Sequence, residues 1–296
     1  MTATVACVGA SRHSRLDSLT YEGFAERPIN CMVAMNLRRI GGTIEDSKAK
    51  IAALGPPLSQ VIEAAIDEAY LDVLQPLEIH LERALDSAGV EIPNATRHTC
   101  MQMLEEVVQI MRREKIFEIA REFPILIQSD EASRPFQTGA AARFEENVDM
   151  ALSWSRLKQS RGHVSISNMH EMVHDRILNG MNAGCVNIVE DSVANRRAFE
   201  HGKNALFFRY DDDSLKECLS LVCNDVARAF EIAAAGFALR DDPRFRFGNY
   251  RNFIELFPPP GIAGIVIRDA IHACDERTAA NARYPRRMFR TRAHAS

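Results

Sequence analysis

The sequence lacks most of what would place it in a membrane, a secretory route or a nucleic-acid complex. No run of about 18 or more apolar residues is present, so nothing reads as a transmembrane span. Met1 to Ala10 is apolar and small, but no basic start or cleavage signal frames it, which argues against a signal peptide. No sign of charge dominates: 36 Lys+Arg against 40 Asp+Glu leave a net charge of −4, too little to draw the chain toward nucleic acid or a membrane surface. No CxxC pair suggests structural zinc. The seven cysteines (Cys7, Cys31, Cys100, Cys185, Cys218, Cys223 and Cys274) are scattered and odd in number, and read as free thiols of a reducing compartment. Cytoplasm is the expected location. No internal repeat is found.

What is present is ordinary for a globular protein: 296 residues, 46% hydrophobic and 26% charged, enough for one large domain or two small ones. Ile29 to Met35 reads as a buried strand, and Ile44 to Leu54 as a helix ended by Gly55-Pro56-Pro57. From Leu58 to Ala88 the apolar period is helical, and Pro76 divides or bends it before Gly89 stops it. Thr96 to Glu122 is helical again.

Phe123 to Gln128 is a strand directly after that helix, the rhythm of a parallel sheet. Strands are expected at 142–144, 163–167, 185–189 and 205–209, with helices at 148–159, 171–183, 193–201 and 214–235. The fold class is therefore α/β, a Rossmann-like parallel sheet with flanking helices, with ligands expected at the carboxyl ends of the strands. Residues 1–28 are expected to be weakly ordered, 29–235 to form the domain with a helical insertion over 58–122, and 236–276 to be an extension with a last helix over 262–273. Residues 277–296, with six arginines, are expected to be a disordered basic tail.

Val173 to Leu215 carries a longer pattern: His174-x-Arg176, a helix of small residues, Gly184, a strand, a short helix to His201-Gly202, a strand with Phe207-Phe208, and the acidic turn Asp211-Asp212-Asp213. In that order these features resemble the C-terminal, donor-binding half of group-1 glycosyltransferases of the GT-B fold, closest to the family similar to spore-maturation glycosyltransferases. The likeness extends to Phe123 and, more faintly, to Ile29, roughly two-thirds of the chain. It implies a UDP- or GDP-linked sugar as donor substrate, an unknown acceptor, and no metal or other cofactor. A donor diphosphate would lie near helix N-termini and loop amides.

By the resemblance His174 and Glu171 stand nearest the reacting group, with Arg176, Asn179, Arg38 and Gly184 on the nucleotide side. Arg176 would compensate charge on the leaving group. Gly184 reads more simply as the residue that ends its helix, and Arg38 as a surface arginine. Related retaining members carry Glu-x7-Glu; here Glu171 is followed by Asn179, and Arg197 replaces a later glutamate. Fewer than 30 residues precede Ile29, too few for a first domain. The chain is thus read as a donor-binding half, its acceptor half supplied by a protein partner or lost, leaving a nucleotide-sugar-binding or interaction module.

One motif competes. His170-Glu171-Met172-Val173-His174 matches HExxH, in which two imidazoles four apart on a helix bind zinc and the glutamate polarises its water. A chance match has odds of roughly a few per cent. The longer zinc-protease form would need glycine and histidine where Ile177 and Gly180 stand.

Overall fold

Among the described residues six short strands build one sheet. They are β1 (Ile29–Ala34), β2 (Leu126–Ser129), β3 (Arg143–Glu146), β4 (Ser160–Ser165), β5 (Val186–Glu190) and β6 (Leu206–Phe208). The computed structural model describes residues 16–36, 43–166, 173–240, 242 and 245. Every strand pair is parallel, in the order β3-β2-β1-β4-β5-β6. This is the doubly wound Rossmann-like order, whose direction of winding reverses between β1 and β4. The interior strands β2 and β5 are buried at every position, as expected where helices cover both faces.

Alternation along the strands sorts the two faces. Cys31, Val33, Val164, Val186, Ile188 and Phe208 join the main core. Against them lie the end of α5 (Asn94–Ala120), α9 (Asp212–Asn224) and α10 (Val226–Leu239). Met32 and Ala34 face the other way, toward Leu157 of α6 (Met150–Lys158). The short α7 (Asp175–Asn182) covers the same side and packs on β4 and β5.

Between β1 and β2 the chain inserts α2 (Ile44–Ala52), α3 (Leu58–Leu71) and α4 (Leu77–Ala88) ahead of α5. These helices close a core of their own around Ile62, Leu81, Leu104 and Val108. Pro76 does separate two helices, and Gly89 takes a φ of 62°, the left-handed stop expected of it. The 27 residues of α5 span about 40 Å, roughly twice the length of the longest strand. Its second half covers the sheet with Ile116 and Phe117, while its first half belongs to the inserted bundle. The bundle therefore overhangs the carboxyl edge of the sheet, where β1 releases the chain.

Three sequence expectations are corrected here. In the segment before Ile29, the described residues 16–28 are not weakly ordered: they form α1 (Tyr21–Ala25), and Phe24 and Arg27 are buried. The helix expected over 214–235 is two helices, because Asp225 leaves helical geometry and its carboxylate caps α10 by accepting from the Arg228 N–H at 3.0 Å. The helix expected from Glu171 begins at Asp175. The helix expected over 262–273 lies outside the described residues.

Candidate functional site

The winding reverses where β1 and β4 end side by side, and there the sheet carries an unusual load of polar groups. Gln128 of β2 pairs in register with Ala34 of β1, and Ser165 of β4 follows the Val33–Val164 pair on the same row. One row deeper, His163 of β4 pairs with Asn187 of β5. All four side chains are buried, at 0 to 3% exposure. Among the described residues Gln128 Nε2, Ser165 Oγ, His163 Nδ1 and both amide atoms of Asn187 have no hydrogen-bond partner. Buried polar atoms cost free energy unless paired, and Ala34, between Gln128 and Ser165, is only half-buried.

His163 and Asn187 face one another closely enough for the amide to favour a proton on the ring, yet no aligned hydrogen bond joins them. Alignment decides, since a polar contact at poor angle is not a hydrogen bond. Burial, reinforced by nearby Arg176 and His174, lowers the His163 pKa to about 3, so the ring is neutral at ordinary pH. Above the pair lies Gly180 of α7: a Cβ there would overlap Asn187 Oδ1 and come within 3.2 Å of His163 Nδ1. Gly180→Ala is expected to cost about 1–3 kcal/mol by overpacking. Combining it with Asn187→Ala makes room, so the double variant should melt above the sum of the single losses. Strict additivity in thermal melts contradicts this contact.

The rim is cationic and comes from two directions. Arg113, from the inserted bundle, donates through Nη1 to the Asn36 carbonyl at 3.0 Å, just past the end of β1. Asn147 Nδ2, beyond β3, donates to Asn36 Oδ1 at 2.7 Å, and Ser153 of α6 donates to Gln128 Oε1 at 3.4 Å. From the other direction α7 presents exposed Arg176 in its first turn.

His174 is the cap of α7. Its backbone is extended (φ −71°, ψ 146°), and Nδ1 accepts from the Arg176 N–H at 3.1 Å. The same Nδ1 lies 2.5 Å from Asp175 Oδ1. One nitrogen cannot accept and donate at once, so the cap holds in the Nε2–H tautomer and the carboxylate contact in the protonated ring. The His174 contact draws the Asp175 pKa down against the opposing effect of burial. Asp175 thus already answers the helix dipole with its own charge, and the charge available to an anion here is that of the Arg176 side chain.

Among the sequence-derived site residues, His174, Arg176 and Asn179 share one short helix beside the crevice. Gly184 does not join them. It sits past the opposite end of that helix with a φ of 64°, against Leu19 and Arg27, about 12 Å of helix away; its role is to turn the chain into β5. Glu171 and Arg38 lie outside the described residues, as does His170. For HExxH, His174 is extended and caps the helix rather than lying in it, and His170, Glu171 and Met172 lie outside the described residues. Among the described residues no group of three His, Cys, Asp or Glu side chains could hold a metal.

Sequence reasoning missed Arg113, Gln128, Ser165, His163 and Asn187. In the sequence the last four read only as parts of strands. Their signal was available in the breaks they make in runs such as Val186-Asn187-Ile188, since strands covered on both faces ordinarily read as unbroken apolar residues. Arg113, 77 residues after Asn36, had no such signal.

No protein-family model matches the chain, and no curated protein matches it. Among solved structures, Anabaena Alr3699/HepE in complex with UDP and glucose is similar over 49% of this chain and 44% of that one, with a TM-score of 0.39 and 10% identity. The same protein in complex with UDP-glucose is similar over 77% of this chain and 71% of that one, with a TM-score of 0.39 and 9% identity. On the first alignment the chain spans less than half of the HepE length. Among the described residues no helix is long and apolar enough to cross a membrane.

Proposed function

We propose that the chain binds a nucleotide sugar in the crevice at the carboxyl ends of β1 and β4, as the donor-holding part of a glycosyl-transfer enzyme. The observation that supports this reading is the buried, unpartnered pair Gln128 Nε2 and Ser165 Oγ on either side of Ala34, at the point where the sheet reverses its winding. Open parallel sheets bind ligands at such a point. An uncharged hydrogen-bonding floor suits hydroxyl and amide groups, and the arginines above it suit a diphosphate. The order of motifs over Val173 to Leu215 gives the same class of ligand through its resemblance to group-1 glycosyltransferases.

In this reading Arg176 and Arg113 hold the diphosphate and offset the charge that develops as the glycosyl bond breaks. Asn179 faces the ribose, a weaker partner than a carboxylate. His174 orients the donor, and Glu171 stands beside it. The acceptor reaches the sugar from the side of the inserted bundle or from a protein partner. Transfer needs no metal in this scheme, because arginines carry the compensating charge.

Calorimetric titration with UDP- and GDP-sugars tests it. A nucleotide sugar should bind, and Arg113→Gln should weaken it about tenfold or more, the size expected when a charge-assisted hydrogen bond is lost. Absence of binding across the panel removes the donor site. Binding with no transfer or hydrolysis makes the chain a binding module.

A further inference from the structure

A second cleft, of about 520 Å³, opens at the carboxyl ends of β5 and β6, away from the crevice just described. Two strand spacings, about 10 Å, separate β6 from β4. Its chemistry starts from Asp191, which follows β5 and is 8% exposed. The carboxylate accepts from Arg196 Nε at 2.5 Å and Nη2 at 2.7 Å, and from Arg209 Nε at 3.0 Å. Burial pushes the Asp191 pKa up, but the two guanidiniums outweigh it and hold the group below the usual carboxylate value. Asp191 is therefore charged, and the three groups together carry one net positive charge.

A guanidinium has five N–H donors. Asp191 takes two from Arg196 and one from Arg209, and among the described residues no other partner takes the rest. Both arginines are about half exposed, at 45% and 54%, and both line the cleft. Two planar cations are thus fixed from behind by a buried carboxylate, with their remaining donors left for something in front. Pre-organised donors of this kind match oxyanions.

The other walls add to this. His201 Nδ1 accepts from the Phe207 N–H at 2.8 Å, which puts the ring proton on Nε2. The His201 and Phe207 rings lie 5.6 Å apart and give the cleft an aromatic side. Ser214 Oγ is held at both ends by the Arg209 backbone, accepting from N–H at 2.9 Å and donating to the carbonyl at 3.2 Å. Asp211 is occupied in capping α9, accepting from the Ser214 N–H at 2.8 Å. The acidic first turn of α9 favours no anion on its own side, so the arginine side must hold the charge.

The geometry points to a second binding site here, independent of the nucleotide site, for a small organic oxyanion: a carboxylate or phosphate monoester attached to a ring that lies against His201 and Phe207. A phosphorylated sugar and a uronic acid share this chemistry, and the volume falls within the usual range of small-molecule sites.

Titration of the full chain with glucose 6-phosphate, glucuronate and neutral glucose, followed by NMR of the arginine Nε–H signals, tests the site and separates the sources. One or both anions should shift the Arg196 and Arg209 signals, while glucose leaves them in place; the tighter anion identifies phosphate or carboxylate. Arg196→Gln with Arg209→Gln should lower affinity at least tenfold while leaving UDP-sugar binding unchanged. Unmoved signals in the unmutated protein at about 20 mM anion, a concentration that would populate even a millimolar site, overturn the inference whether or not the double variant folds. Equal binding by a folded double variant overturns it as well. Failure of UDP-sugar binding alone touches only the nucleotide reading.

Discussion

Between pH 6.5 and pH 3 the folded protein is expected to lose several kcal/mol of stability through His163 alone. The unfolded chain takes up a proton at this residue near the ordinary value of 6.5, whereas the native ring, enclosed between β4 and α7, resists protonation until about pH 3. In that window the unfolded state binds the extra proton, so stability rises with pH and is lost as pH falls. At pH 4.5 the loss relative to pH 7 amounts to roughly 2–3 kcal/mol. Urea unfolding of the wild type and His163→Met at both pH values measures it. The variant should lack this part of the acid dependence. Parallel pH profiles would mean that the native ring is protonated as readily as the unfolded one.

The second large effect lies at the other end of α7. Arg27 is 7% exposed and among the described residues faces no carboxylate. Its guanidinium donates to the carbonyls of Ser160 at 2.6 Å, Gly184 at 2.9 Å and Ala183 at 2.9 Å, and it stacks on Phe24. Two of those carbonyls terminate α7, where the helix leaves acceptors unsatisfied and a cation is favoured. Leu16 N–H adds a bond to the Asn182 carbonyl at 2.9 Å. The segment before β1 therefore clamps the rear of the helix whose front carries His174 and Arg176.

Arg27→Met keeps the apolar stem and removes the donors, taking a hydrogen bond from each of three carbonyls and leaving Ser160 O with only the Cys185 thiol at 3.3 Å. The cost is expected to be about 3–5 kcal/mol, or roughly 6–15 °C in Tm for a domain of this size. Thermal melts give the magnitude. A loss below about 1 kcal/mol would show that water replaces the guanidinium at those carbonyls. Nucleotide-sugar affinity measured well below the new Tm would reveal whether the clamp also positions the site.

Much of the architecture could be read along the chain because it is written in local patterns. Apolar or alternating runs between polar turns located the six strands of the described residues to within a few residues, and helical periodicity located the bundle between Leu58 and Glu122. Pro76 and Gly89 punctuated it, since one lacks an N–H and the other tolerates positive φ. Boundaries failed where a side chain several residues away set them: Asp225 splits the last helical stretch by capping α10, and His174 starts α7 four residues late by capping it.

The sites were less legible. His174, Arg176 and Asn179 are close in sequence and on one helix, so a local pattern sufficed to group them. Arg113 meets Asn36 across 77 residues, Gln128 reaches the row of Ser165 only through strand order, and Asp191 gathers Arg209 from the next strand. By itself the sequence determined the alternation of strand and helix, because burial and backbone pairing impose periods of 2 and 3.6 on neighbouring residues. Only the tertiary structure decided which polar side chains converge, because parallel order brings together residues whose separation along the chain carries no period at all.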